Sequence, residues 1–285
     1  MAQFTNQATM TYRGITTNSN LVTGEITQVL TAQKQATSGL YRPGEILTYV
    51  VSLQNAGATD LTGLTIRDNL GTYAGGGGEV TPLAYTGDPV LYYVSGRPQT
   101  SLTAEAGPPM VITGVRVPAG SEAVLVYRVR ANGYAPLGTE AEVTNSLEIT
   151  GDGLANPVTA AETVVADPAA VLSIQKALSP ATVVENGEIT YTFTIQNTGA
   201  MAVDAADALV LRDTFNPVLE APIAVSLNGA AWPQEGNYTY DAATGEFVTT
   251  AGAITVPAAT YTQDAATGLW SVSPGVTTLT VRGTI

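Results

Sequence analysis

The sequence predicts an all-β chain: two immunoglobulin-like β-sandwich domains in tandem, the second lacking its last strand, preceded by an amino-terminal donor strand. Three observations predict it. Apolar residues alternate with polar ones at period two, as in Leu47, Tyr49, Val51, Leu53 and again in Tyr191, Phe193, Ile195, the pattern of strands with one buried face. Turn-forming residues punctuate these runs about every ten residues, and no long segment carries the 3.6-residue period of an amphipathic helix. The sequence also repeats itself, so one fold is written twice.

The repeat fixes the order of elements. The first copy runs from Lys34 through Pro43-Gly44-Glu45-Ile46-Leu47-Thr48-Tyr49 and Leu53-Gln54-Asn55-Ala56-Gly57 to Thr65-Ile66-Arg67-Asp68. The second answers with Lys176, Asn186-Gly187-Glu188-Ile189-Thr190-Tyr191, Ile195-Gln196-Asn197-Thr198-Gly199 and Val210-Leu211-Arg212-Asp213. Further on, Val115–Ala119 matches Ile254–Ala258, and Ala123–Ala131 matches Thr277–Ile285. This gives residues 30–166 as the first domain and 167–285 as the second, with 1–29 as donor strand and connector. The segments Asp241–Gly245 and Asp264–Gly268 fit hairpin loops, with Asp opening the turn and Gly at the positive-φ position. Each offers calcium a single carboxylate, too few oxygens for that ion. The glycine run 75–78 lacks the lysine and helix of a phosphate loop and is expected to be a flexible loop.

Composition excludes much. There is no cysteine and no histidine, hence no disulfide, thiolate metal site or imidazole-based triad. No metal or other cofactor is expected. A net charge of −13, with arginines scattered singly, repels phosphate backbones, so nucleic acid is not an expected partner. No apolar run is long enough for membrane insertion as a helix. Residues 1–6 have neither a basic region nor an apolar stretch of the kind a secretory leader carries. Either a leader was removed ahead of residue 1 or, the favoured expectation, the protein is made inside a cell, as one assembled during sporulation would be, and reaches its surface another way.

The two copies stop matching at one place. The first continues into Val143-Thr144-Asn145-Ser146-Leu147-Glu148-Ile149, whereas the second ends at Ile285 before any such strand. The missing pattern stands at the amino terminus. There Phe4, Asn6, Ala8, Met10 and Tyr12 alternate on one face, and Asn20-Leu21-Val22-Thr23 echoes Asn156-Pro157-Val158-Thr159. A strand supplied by one copy to complete the sheet of the next is donor-strand complementation, and head to tail it builds a filament of identical copies. Two other readings stay open: the strand folds back on its own second domain, or it is a loose tail.

Only two lysines occur, Lys34 and Lys176, at matching places on the apolar faces of matching strands. An ammonium there is costly unless it is paired or chemically neutralised. The same faces carry Asp68 (with Leu64, Ile66 and Leu70) and Asn145 in the first copy, and Asp213 (with Leu209, Leu211 and Phe215) in the second. The second copy's asparagine would be Asn6 of a neighbour. A lysine, an acid and an asparagine in an apolar interior are the ingredients of a spontaneous isopeptide bond, because burial disfavours the charged forms of both amine and acid. A buried ion pair without any covalent bond satisfies the same pattern.

These motifs resemble the conserved repeat domain, of the uncharacterised (DUF) type, found in bacterial surface proteins. They are also similar to the isopeptide-forming domains of Gram-positive fimbrial pilins. The resemblance implies a crosslink from Lys34 to Asn145 assisted by Asp68, and one from Lys176 to Asn6 of another subunit assisted by Asp213. It implies a structural fibre subunit on the cell or spore surface, not an enzyme with turnover. No Leu-Pro-x-Thr-Gly sortase signal is present, so self-assembly is the expected route. The alternative of another class is a monomeric adhesin or carbohydrate-binding stalk using Tyr92, Tyr93 or Trp270.

Overall fold

The computed structural model describes residues 2–285. The chain is all-β apart from a short 3-10 turn at Ala205–Asp207, and no helix of the described residues is long and apolar enough to cross a membrane. It divides into two compact units, residues 1–136, 142–165 and 265–269 in one and 137–141, 166–264 and 270–285 in the other.

The first unit opens with β1 (Ala2–Asn6), β2 (Thr9–Tyr12), β3 (Ile15–Asn18) and β4 (Val22–Ile26). They form one long hairpin: Phe4 stands opposite Gly24 and Asn6 opposite Val22, then Met10 opposite Thr17 and Tyr12 opposite Ile15. Gly24 leaves room for the Phe4 ring, which a Cβ there would push aside. This departs from the expected single strand plus connector. Residues 15–26 are the returning strand of a hairpin, neither a span of loose chain nor part of a frayed tail.

The body of the unit follows: β5 (Leu30–Ala36), β6 (Leu40–Tyr41), β7 (Ile46–Asn55), β8 (Leu61–Asp68), β9 (Tyr73–Gly75), β10 (Gly78–Val80), β11 (Leu83–Tyr85), β12 (Leu91–Val94), β13 (Arg97–Pro98), β14 (Ala104–Glu105), β15 (Met110–Val117), β16 (Glu122–Ala131), β17 (Glu142–Thr150) and β18 (Val158–Ala166). One sheet has the order β13-β12-β16-β7-β5, with β11 also on β16; the other has the order β14-β15-β8-β17-β18-β6. Their inner faces carry the alternating residues: Leu47, Tyr49, Val51 and Leu53 on β7, Leu64 and Ile66 on β8, Leu125, Tyr127 and Val129 on β16, Val143, Leu147 and Ile149 on β17, all buried. Burial of each such aliphatic side chain contributes about 1.5–3 kcal/mol. The glycine run, expected to be flexible, is a tight turn between β9 and β10. Gly75 pairs with Gly78, and Gly76 and Gly77 both have positive φ, the geometry of a two-residue hairpin turn matched to strand twist.

The second unit contains β19 (Leu172–Ser179), β20 (Glu188–Asn197), β21 (Arg212–Thr214), β22 (Ala224–Leu227), β23 (Ala230–Ala231), β24 (Tyr238–Asp241), β25 (Glu246–Thr249), β26 (Thr260–Gln263), β27 (Trp270–Ser273) and β28 (Gly275–Thr284). One sheet has the order β19-β20-β28-β22-β23; the other has only β21-β25-β24, and β26 pairs β27 separately. Register follows the repeat. Leu30 stands opposite Asn55 and Leu172 opposite Asn197, Tyr49 opposite Tyr127 and Tyr191 opposite Val281, Asp68 opposite Met110 and Asp213 opposite Phe247. The copies part at one edge. β8 has β15 on one side and β17 on the other, whereas β21 has β25 on one side and, among the described residues, no strand on the other. The Asp241–Gly245 loop is the expected hairpin turn: Asp241 Oδ1 accepts from Ala243 N–H at 2.8 Å, its Oδ2 accepts from the Thr244 hydroxyl at 2.9 Å, and Gly245 has positive φ.

The repeated Asn-x-Gly motif has a structural role in both units. Asn55, fully buried, donates to the carbonyls of Thr59 and Val117 at 2.9 and 3.0 Å and accepts from Gly57 N–H at 2.9 Å. Asn197 does the same with Met201, Pro257 and Gly199. Replacing Asn55 with Ala strands several buried backbone groups, and urea unfolding is expected to register a loss of about 2–4 kcal/mol in the first unit.

Candidate functional site

In the first unit the sandwich brings three predicted residues to one dry interior. β5 is the edge strand of one sheet, and its inward Lys34 reaches across to β8 of the other. Lys34 Nζ lies 2.7 Å from Asp68 Oδ2, and neither side chain has any exposure. The hydroxyl of Tyr127 donates to the same Oδ2, and Leu70 N–H donates to Oδ1 at 2.8 Å. Lys34 Nζ also sits 4.7 Å from the centre of the Tyr49 ring and 6.0 Å from that of Tyr127, rings that stack on each other at 5.8 Å. Burial draws the Lys34 ammonium down from 10.5 to about 8, against the opposing pull of Asp68. Desolvation pushes the Tyr49 and Tyr127 phenols upward, so both hold their protons.

Asn145 arrives from β17, the neighbour of β8. Leu147 stands opposite Asp68, which puts Asn145 two residues on along the same inner face. It has no exposure, and neither its amide nitrogen nor its oxygen has a hydrogen-bond partner. The Tyr49 hydroxyl is in the same position; Asn145 is near enough to temper the upward shift of that phenol, but no donor and acceptor align between them. The contrast with Asn55 is sharp. One buried asparagine of this unit is fully paired and the other is paired with nothing, at a cost that native interiors rarely carry without a reason. That orphaned amide shares its interior with an amine whose proton is weakly held.

The second unit repeats half of this arrangement. Lys176 pairs with Asp213, and its Nζ sits 4.5 Å from the Tyr191 ring centre, 5.4 Å from Phe193 and 5.5 Å from Phe215. Here 40% of the lysine side chain is exposed, and 19% of the aspartate. Among the described residues no counterpart of the Asn145-bearing strand lies beside β21. On β19, Leu172, Ile174 and Leu178 are exposed, whereas Leu30, the counterpart of Leu172 in the first unit, is fully buried. Asn6 is not brought to this site; with Phe4, Ala8, Met10 and Tyr12 it lies exposed on the amino-terminal hairpin. Phe4, Met10 and Tyr12 therefore fill no core within this chain, contrary to the fold-back reading.

Sequence reasoning missed Tyr127 and Tyr49 as members of the first site. Both were legible as inward positions of alternating strands, but a phenol on an apolar face reads as ordinary core until the acid it serves is located. Tyr127 has no counterpart in the second unit, where Val281 takes its register position. Of the aromatic residues weighed as a ligand platform, Tyr92 is buried, its hydroxyl engaged with the backbone of Arg116.

No family model matches the chain, and no curated protein matches it in sequence. Among solved structures it is similar to BcpA, the major pilin subunit of Bacillus cereus, at 13% identity and a TM-score of 0.36, over 72% of this chain and 69% of that one. It is similar to the pilus backbone RrgB of Streptococcus pneumoniae at 12% identity and 0.35, over 86% and 55%. It is similar to the collagen-binding domain of a Staphylococcus aureus adhesin at 10% identity and 0.31, over 50% and 99%. At these scores the likeness carries no functional weight.

The pH response of the unlinked site follows from the Lys34 shift. A lysine at about 8 when folded and 10.5 when free leaves the unfolded chain holding more protons between those values, so stability rises with pH across that window. In an Asn145→Ala protein, where Lys34 stays an amine, the unfolding midpoint of the first unit is expected to climb from pH 8 upward. The rise should end near 10, where Tyr49 and Tyr127 ionise in the unfolded chain. Lys34→Met in the same background should remove it.

Proposed function

We propose that this chain is the structural subunit of a surface fibre. Copies join head to tail when the amino-terminal strand of one completes the open sheet of the next, and Lys–Asn isopeptide bonds lock the fold and the joint. The observation that carries this reading is the mismatch between the two units. The second has an open β21 edge where the first has β17, and the strand that repeats the β17 pattern lies exposed at the amino terminus. A strand edge of this kind is a template for another chain. Because the contact joins unlike surfaces, it propagates instead of closing.

The bond proposed for the first unit draws on groups that are all buried in that unit. Lys34 passes a proton to Asp68, across the 2.7 Å ion pair, and becomes a neutral amine that attacks Cγ of Asn145. The Nζ–Cγ bond forms, the Cγ–Nδ2 bond breaks, and ammonia leaves. Of the three protons that begin on the ammonium, one stays in the new amide, one goes to the departing nitrogen by way of Asp68, and one remains on the carboxyl. Tyr127, donating to the same oxygen, holds the acid in position through the transfer. The product replaces an orphaned amide and a buried charge with one neutral amide. Closing the loop from Lys34 to Asn145 stabilises as a disulfide does, by about 4–5 kcal/mol in the chain-entropy model, without needing an oxidant. Lys176, Asp213 and Asn6 of the donor are assigned the same roles between subunits.

Intact mass and denaturing gel mobility test this. The expected result is a boiling-resistant ladder, each subunit lighter by one ammonia for every bond it holds. Lys176→Ala or Asn6→Ala should abolish the ladder but keep the internal loss; Lys34→Ala or Asn145→Ala should remove the internal loss alone. A single band at the unmodified mass in every sample refutes the isopeptide chemistry.

A further inference from the structure

The amino-terminal segment is more than a strand. In the hairpin of β1–β4, one face carries Phe4, Asn6, Met10 and Tyr12 on the first arm and Ile15, Thr17, Val22, Gly24 and Ile26 on the second, mostly apolar; the other carries Gln3, Thr5, Thr9, Thr11, Thr16, Asn18, Thr23 and Glu25. The polar face is laced by its own hydrogen bonds, Thr9 to Asn18 at 3.0 Å and Thr11 to Thr16 at 3.0 Å. The apolar face is bare: Phe4 is 52% exposed, Met10 and Tyr12 65%, Ile15 74% and Val22 54%. Two strands with one naked apolar face are marginal on their own, and they gain stability from a sheet to extend and a core to cover.

The first unit contains such a pair already in use. β17 and β18 form a hairpin in which Val143 stands opposite Val164 and Ile149 opposite Val158, four buried residues on one face, with Thr144 and Thr163 hydrogen-bonded and exposed on the other. The Asn145-bearing strand pairs with β8, and β18 lies beyond it in the order β8-β17-β18. β18 also closes the side of the sandwich: Glu162 accepts from the edge-strand N–H of Ala36 at 3.3 Å. The second unit has neither strand. Besides the bare edge of β21, it leaves Leu178, which matches Ala36 in the repeat, 44% exposed, and Val184 77% exposed.

Resting on the fibre reading above, we infer that the donated element is the whole two-stranded hairpin. It docks on the second unit of another copy in the order β21, then the Asn6-bearing arm (β1 and β2), then the returning arm (β3 and β4). The first arm takes the place of β17 beside the acid. The returning arm takes the place of β18, so that Val22 and Ile26 cover the flank of the sandwich that a single strand would leave wet. The apolar face turns inward as one surface, and the row of threonines stays in water.

The chain has no cysteine, so single cysteines report burial directly. Phe4→Cys, Val22→Cys, Ile26→Cys and Thr23→Cys proteins are alkylated with a small thiol reagent as dilute monomer and as polymer. Assembly is expected to slow labelling at Phe4→Cys, Val22→Cys and Ile26→Cys by about tenfold or more, and to leave Thr23→Cys unchanged. Protection at Phe4→Cys with free labelling at Val22→Cys and Ile26→Cys overturns the hairpin and leaves a single donor strand. Free labelling at Phe4→Cys in a polymer, or no polymer at all, overturns the donor reading and the hairpin with it.

Discussion

The strand beside the acid decides what each sandwich is. In the first unit β17 gives β8 its second ladder from Thr65 to Asp68 and supplies three buried apolar side chains. With that strand in place, Lys34 and Asp68 are closed off from solvent, and the amine is held by its partner and by two aromatic faces. In the second unit the matching ladder is absent, and the same residue types sit half in solvent. One strand therefore sets backbone satisfaction, core completion and the electrostatics of the lysine together. In the proposed chemistry, placing the asparagine on that strand would tie bond formation to closure of the sheet.

Much of this was legible in the sequence. The period-two runs gave the strands, and the repeat gave the register: the offset that maps Lys34 onto Lys176 also maps Val51 onto Phe193 across the ladder. The Lys34, Asp68 and Asn145 grouping was legible because polar residues on the apolar face of a strand are costly and few. Three features were not. The hairpin form of residues 2–26 depends on pairing between arms of weak pattern, where threonines are interspersed among the apolar residues and a local irregularity around Ser19–Leu21 interrupts the ladder. The turn at Gly76 and Gly77 needs two successive positive φ angles, which glycine permits in a tight turn as readily as in a loose loop. Tyr127 was hidden because its side chain counts as apolar until its hydroxyl finds Asp68.

The two sites differ in a way that the repeat does not require. Tyr127 in the first unit is replaced by Val281 in the second, so Asp68 receives a phenolic hydrogen bond that no residue at that register position can give Asp213. Around Lys176 the aromatic contacts move toward the lysine itself: three rings lie within 5.5 Å of Nζ, against one at that range from Lys34. A cation over ring faces is stabilised in addition to its ion pair.

That difference bears on timing. In the first unit all three groups belong to one polypeptide, so the interior closes as soon as the unit folds, and the orphaned Asn145 amide has nothing else to pair with. In the proposed fibre the second site is incomplete in every free subunit, because desolvation, the asparagine and the outer ladder of β21 would all come with the donor. Chemistry would then wait for assembly. A subunit could not spend its joint prematurely, since the lysine has no amide to attack until a neighbour has docked. Non-covalent docking would choose the partner and the register, and the bond would follow only at a joint already built. The cost of the arrangement is the bare apolar face of the hairpin and the exposed Leu172, Ile174 and Val184. In the proposed fibre these would be the two surfaces that meet, and their exposure in the free subunit would favour association of copies.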